Sequence, residues 1–171
     1  MDFEILIPEE KIKKRVEELA EEISNEFGNS LVTIVSVLKG AVVFTVDLMR
    51  YMKSEVELDF IRIRSYRGEK KGELRITALP ELDLKRKQVL IVDDIFDTGE
   101  SLKLAYDEVV KHFPEVVKTC VFLDKQIEKK VDIRPDFVGF EIPDYFVVGY
   151  GLDINEMYRD LPYIGYFKRG E

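Results

Sequence analysis

The sequence predicts an α/β fold with a mainly parallel sheet and helices on both faces. Three observations carry that expectation. Short apolar runs rich in β-branched residues alternate with stretches of helical period along the whole chain. Two of the runs, Leu31–Leu38 and Val89–Val92, are apolar without alternation, as strands covered on both faces are. The 171 residues suit one domain, read as 1–171, at about 100–200 residues per domain. A chain of this length buries about 70% of its unfolded surface and needs no staples.

The elements follow in order. Residues 8–27 read as an amphipathic helix, because Ile12, Val16, Leu19, Ile23 and Phe27 recur at spacings of three and four, with Gly28 as the C-cap. Leu31–Leu38 is a buried strand, and after Gly40 a helix is expected over Val42–Met52. Val56–Ser65 alternates Val56, Leu58 and Phe60 and reads as a strand. Tyr66–Gly72 is polar, holds two glycines and reads as a mobile loop. Glu73–Thr77 reads as a strand returning from it. The charged turn Asp83–Lys87 leads into the buried strand Val89–Val92. Glu100–His112 reads as a helix and Val116–Leu123 as a strand. Phe137–Phe140, Phe146–Val148 and Tyr163–Phe167 are candidate later strands, punctuated by Pro135, Pro143 and Pro162. In such sheets ligands sit at the carboxyl ends of strands near a switch in strand order. That directs attention to Lys39-Gly40, Ser65-Tyr66, residues 93–101 and Asp124-Lys125.

Composition removes several function classes. One cysteine rules out an intramolecular disulfide framework and a multi-thiolate zinc site, and one histidine disfavours a His-based metal centre. His112, before Pro114 at a helix end, reads as a helix-terminal residue favourable to the dipole, and Cys120 as core. The net charge of −8 argues against a nucleic-acid partner. Neither a signal-peptide run nor a stretch of about 20 apolar residues occurs, so no membrane association and a cytoplasmic location are expected.

The chemistry concentrates in residues 89–101, VLIVDDIFDTGES. A buried strand runs into Asp93 and Asp94, and a short loop with Asp97, Thr98 and Gly99 then opens a helix. Residues 97–101 offer consecutive backbone N–H groups and two hydroxyls at a helix N-terminus, an anion cradle. Gly99 permits close approach of the backbone. Asp93 and Asp94 are hard oxygen groups suited to sugar hydroxyls, directly or through hydrated Mg²⁺. Cradle plus clamp points to a phosphorylated sugar. The bland reading, in which Asp97 is an N-cap and the Asp pair a strand end, leaves the three acids in register without a purpose.

This segment resembles the phosphoribosyl-pyrophosphate motif of the type I phosphoribosyltransferases. Four further segments are similar to their hypoxanthine (6-oxopurine) branch. They are Val37-Leu-Lys39-Gly40, the pyrophosphate loop; Asp59 to Tyr66, the entry to the lid; Asp136 to Asp153, the purine-binding hood; and Tyr158-Arg159-Asp-Leu. The resemblance runs from the first helix to the C-terminus. It implies a type I phosphoribosyltransferase-like fold, with a small hood from the N- and C-terminal segments and a flexible lid at about 65–77 that begins at Ser65 and Tyr66.

The resemblance also implies a reaction and its residues. The 5-phosphoribosyl group would pass from phosphoribosyl pyrophosphate to hypoxanthine or guanine, a 6-oxopurine base, giving IMP or GMP and pyrophosphate, with Mg²⁺ as cofactor. Asp97 would take the proton near purine N7. Thr98, Gly99, Glu100 and Ser101 would hold the 5′-phosphate, Asp93 and Asp94 the ribose diol and metal, and Lys39, Gly40 and Arg159 the pyrophosphate. Lys125 would donate to the 6-oxo group, Phe146 would stack on the base, Val147 would read its edge, and Asp153 would meet both base and a second Mg²⁺. The Lys39–Gly40 peptide is the expected place for a strained or cis bond. A homodimer or homotetramer is expected. Two departures stand out: Asp93 where relatives commonly have Glu, and Glu100, whose charge sits in the cradle and is expected to point away. The lid segment is also slightly short. Two alternatives stay open, a xanthine- or guanine-preferring enzyme and a non-catalytic regulator that binds the same sugar phosphate. A P-loop or Rossmann protein does not fit, since GxxxxGK[ST] is absent and Gly149-Tyr-Gly151 lacks a third Gly.

Overall fold

A computed structural model describes residues 3–66 and 72–167. A six-stranded sheet is built from β2 (Val32–Leu38), β3 (Val56–Tyr66), β4 (Glu73–Ala78), β5 (Gln88–Phe96), β6 (Val116–Lys125) and β7 (Phe137–Ile142) in the order β4-β3-β2-β5-β6-β7. All neighbours are parallel except the β3–β4 edge pair. Alternation along the strands divides the core. Ile34, Leu90, Val92 and Phe122 face α1 (Glu9–Phe27) and α2 (Val42–Tyr51), whereas Val35, Val37, Val89 and Ile91 face α3 (Glu100–Val110). The apolar stripe of α1 is buried as its period requires, and truncating Leu19 to Ala there would cost about 2–5 kcal/mol. Arg15 on α1 covers the open edge of the sheet, donating to the carbonyls of Val138 and Gly139 at 2.8 and 2.9 Å.

The chain leaves β2 toward β3 on one side and returns through β5 to β6 on the other. The C-terminal ends of β2 and β5 therefore form the crevice where strand order reverses. Over one end lies a second sheet, β1 (Glu4–Ile7), β9 (Ile164–Tyr166) and β8 (Val147–Val148), antiparallel and in the order β1-β9-β8.

Several boundaries differ from the sequence expectation. β5 runs on through Asp93 and Asp94, because its ladder with β6 continues to Phe96↔Asp124 in spite of the acids. β6 likewise ends at Lys125. The helix expected to reach His112 stops at Val110, where Phe113 at φ 55° and Pro114 turn the chain. β1 had no expectation, since a four-residue strand pairs only with the far end of the chain. The expected strand Phe146–Val148 begins one residue later. Of the lid, residues 67–71 lie outside the described residues. Ser65 and Tyr66 end β3, opposite Leu74 and Glu73 of β4.

Candidate active site

Four chain segments meet at the C-terminal ends of β2, β5 and β6. One side is the loop from β5 into α3. Gly99 caps the helix at φ 91°, and the first N–H groups of α3 have no partner within the helix. An open cavity of about 280 Å³ lies here, lined by Leu74 of β4 and by Asp93, Asp94, Asp97, Thr98 and Ser101 among others. Glu100 does not simply point away. Its carboxylate accepts from the Thr98 hydroxyl at 2.9 Å and pairs with Lys130 at 3.6 Å, which offsets its charge beside the cradle.

Asp93 is buried. One oxygen accepts from the Asp94 N–H at 2.9 Å, and Oδ2 has no partner among the described residues. Burial, then the neighbouring charge of Asp94, pushes its carboxyl well above the usual range. Asp94 accepts from the Ile95 N–H at 2.8 Å and is raised by burial too, partly opposed by hydrogen bonds and by the charge of Arg159. Its carboxylate lies against Gly40, where a Cβ would stand 1.7 Å from Oδ2. Gly151, at φ 99°, closes the other side, since a Cβ there would stand 2.2 Å from the Gly40 carbonyl. Three separate parts of the sequence thus touch at Gly40. The cis peptide in this loop is Leu38–Lys39, one bond before the expected Lys39–Gly40.

A second side lies between β5 and β6. Lys125 is nearly buried, and its ammonium stands 3.8 Å from the carboxylate of half-exposed Asp97 and 3.4 Å from that of Asp144. Phe146 is 58% exposed, so it is not core. Its ring lies 6.1 Å from that of Phe167, and Val147 beside it is buried in β8. Next to Gly40 and Gly151, Arg159 donates to the Gly151 carbonyl at 2.6 Å and pairs with Asp153 at 3.2 Å. Asp153 also accepts from the Glu156 N–H at 2.8 Å. Among the described residues no three acidic, His or Cys side chains converge on one point, so Asp93, Asp94 and Asp153 do not form a ready-made metal cage.

Sequence reasoning passed over Lys129 and Glu156. Lys129 sits behind the Asp97–Lys125 pair, and Glu156 joins Lys39 to Arg159 through one carboxylate oxygen, at 2.6 and 3.3 Å. Neither carries a signal: Lys129 is followed by another lysine, and Glu156 is one of many acids. Gly151 was visible in Gly149-Tyr-Gly151, but only its contact with Gly40 gives it a purpose.

Comparison with known proteins agrees with this geometry. Residues 4–155 match the family model described as phosphoribosyl transferase domain. The chain is 45% identical over 163 residues to a hypoxanthine-guanine phosphoribosyltransferase of Aquifex aeolicus, covering 94% of this chain and 92% of that one. It superimposes on a hypoxanthine-guanine phosphoribosyltransferase of Bacillus anthracis with a TM-score of 0.91 at 38% identity, covering 98% of this chain and all of that one. The hypoxanthine phosphoribosyltransferase of Trypanosoma cruzi in complex with the product IMP matches with a TM-score of 0.89 at 34% identity, over 96% and 95% of the two chains.

Proposed function

This chain belongs to the phosphoribosyltransferase family, and we propose that it is a purine-salvage enzyme. It transfers the 5-phosphoribosyl group from phosphoribosyl pyrophosphate to hypoxanthine and guanine, releasing pyrophosphate and giving IMP or GMP. The observation that carries the base assignment is the Asp97–Lys125 pair, an acceptor and a donor 3.8 Å apart beside the phosphate cradle. A 6-oxopurine carries O6 and N7 side by side on one edge. Lys125, donor only, suits O6, and Asp97, acceptor only, suits a ring N–H at N7.

The transfer breaks the bond from C1′ to pyrophosphate and makes one to a ring nitrogen of the base. Negative charge grows on the leaving group and the sugar becomes oxocarbenium-like, so catalysis is positioning plus electrostatics. Asp97 accepts the proton the base gives up, and a carboxylate can do so with little tuning. The backbone of residues 98–101 holds the 5′-phosphate, and Asp93 and Asp94 face the ribose diol. Lys39, Gly40 and Arg159 receive the pyrophosphate, Asp153 and the Val147 backbone border the base, and the exposed Phe146 stacks on it. Ser65 and Tyr66 lead into the lid.

The donor set fits Mg²⁺. It offers hard carboxylate oxygens and the unpartnered Asp93 Oδ2, which would give up its proton on meeting the cation, and Mg²⁺ prefers one or two carboxylates plus substrate phosphates to a protein cage. Bound with the substrate, it would neutralise charge on the pyrophosphate. Among the described residues no helix is long and apolar enough to cross a membrane.

The test is to incubate the protein with Mg²⁺, phosphoribosyl pyrophosphate and each of hypoxanthine, guanine, xanthine and adenine, and to identify the nucleotide formed. IMP and GMP are expected. AMP at a comparable rate would reject the base assignment.

A further inference from the structure

Lys129 lies in the connection between β6 and β7 with only 8% of its side chain exposed. Its ammonium has three hydrogens and four acceptors: the carbonyls of Phe96 and Asp97, each at 2.9 Å, Asp124 Oδ1 at 2.7 Å and the Lys125 carbonyl at 2.5 Å. One hydrogen is therefore shared. The same nitrogen stands 4.6 Å from the centre of the Phe96 ring, within cation–π range. A charge buried and satisfied this fully is costly to disturb, so it fixes the groups it touches.

Those groups are the two strand ends that carry the base-recognising pair. Phe96 and Asp124 are the last register partners of the β5–β6 ladder. Beyond them Asp97 leaves toward the phosphate loop, and Lys125 pairs instead with Ile142 of β7. No register pair ties Asp97 to Lys125. Lys129 supplies the missing tie by gripping both of their carbonyls from behind, while the Asp97 carboxylate and the Lys125 ammonium face each other in front.

We infer that Lys129 is a positioning residue for the transfer: its ammonium sets the spacing between Asp97 and Lys125, and so the match to the O6–N7 edge of the base. This rests on the roles proposed for that pair. The neighbouring charges are consistent with it. Asp124 is the carboxylate that accepts from the Lys129 ammonium, while the grip on Asp97 and Lys125 goes through their backbone carbonyls and leaves their side chains for the substrate.

A residue that only held the fold together would lower the melting temperature and slow every base alike. A positioning residue also changes selectivity. The experiment measures kcat/KM for hypoxanthine and for adenine, with melting temperature, in the native chain and in Lys129→Met, Lys129→Arg and Asp124→Asn. In Lys129→Met the hypoxanthine value should fall at least about tenfold and its advantage over adenine should contract in step, since small misplacements at a reacting centre cost up to about a hundredfold. Lys129→Arg should stay within about threefold of native, because a guanidinium supplies donors enough for the same carbonyls. Asp124→Asn keeps the ammonium and its carbonyl acceptors but loosens its ionic tether, and it should contract the selectivity at least about twofold. It decides the matter if Lys129→Met does not fold. A native hypoxanthine-to-adenine ratio in whichever of these two variants folds would overturn the role of Lys129. A native chain without preference for hypoxanthine would instead overturn the reading of the site beneath it.

Discussion

The two halves of the site hold their charges in opposite ways. On the side proposed to take the base, Lys125 and Lys129 are nearly buried and wrapped by backbone carbonyls and carboxylates at the ends of β5 and β6. On the side proposed to take pyrophosphate, Lys39 and Arg159 share a carboxylate, Glu156, whose side chain is 63% exposed. Both halves hold cations that meet anions, yet exposed pairs exchange partners at little cost and buried ones do not. The base side is thus a fixed template, suited to discriminating one ring from another. The pyrophosphate side is a set of cations lent to a protein carboxylate, suited to a group that must arrive and leave within each turnover.

The largest effect expected is on the template side. Asp97→Asn should leave the fold and substrate binding largely intact and lower kcat by about 10²–10⁴, the usual value of a positioned acid–base group. The contrast with the exposed half would break if steady-state kinetics gave native turnover, since Asp97 would then have no proton to move. Next is Lys125→Ala. Facing adenine, the ammonium meets a donor instead of an acceptor, and losing a charged hydrogen bond costs about 1.5–3 kcal/mol, or roughly 10- to 150-fold. The variant should lose 6-oxopurine use while phosphoribosyl pyrophosphate still binds by calorimetry. An unchanged base preference would remove Lys125 from recognition.

Legibility in the sequence follows the same division. The central sheet could be read because strands covered on both faces leave near-continuous apolar runs, as in 32–38 and 89–92. The cradle could be read because acids, hydroxyl and glycine stand consecutively in 93–101. What could not be read was assembled across the chain. Gly151 meets Gly40, which in turn lies against Asp94, and the residues 155, 156 and 158 adopt positive φ without being glycine. Lys129 reaches back to Phe96 and Asp97, and no period or motif distinguishes it from Lys130. Phe146 shows the opposite case. Its type suited core as well as stacking, and only its exposure separates the two.

A third test loads both halves together. Phosphoribosyl pyrophosphate with Mg²⁺, at 100 times its dissociation constant, should stabilise the protein by about 2.7 kcal/mol in thermal unfolding. A shift that EDTA leaves unchanged would mean that the carboxylates act without metal. Asp93 should show a smaller effect of opposite sign. Its folded-state carboxyl is raised above the unfolded value, so the folded chain holds a proton that the unfolded chain releases above about pH 4. Stability from this group is fully present below that pH and is lost as pH rises toward the raised value. Asp93→Asn should therefore change little near pH 4 and raise the Tm near neutrality. Binding of phosphoribosyl pyrophosphate should weaken in the same variant. A neutral-pH Tm below native would show that Asp93 is stabilised in the fold by more than the contacts described.

The smallest effect expected is the most direct probe of the exchangeable half. Glu156 is held ionised at neutral pH, since Lys39, and then Arg159, pull its carboxyl below the usual range. An incoming pyrophosphate would compete with the Glu156 oxygen that Lys39 and Arg159 share, while Arg159 keeps its contacts to the Gly151 carbonyl and Asp153. A protein carboxylate in that place competes with the ligand, so Glu156→Gln should bind pyrophosphate more tightly, by about two- to fivefold, the scale of an exposed ion pair. Product inhibition by pyrophosphate should strengthen by the same factor, and if release limits turnover, kcat should fall while the KM for phosphoribosyl pyrophosphate also falls. The gain should shrink as salt rises, because the competition is between solvent-exposed charges. Lys39→Ala and Arg159→Ala supply the control, since both should weaken pyrophosphate binding. If those two weaken it and Glu156→Gln weakens it as well, Glu156 orients the cations instead of occupying them, and the pyrophosphate half is as much a fixed template as the base half.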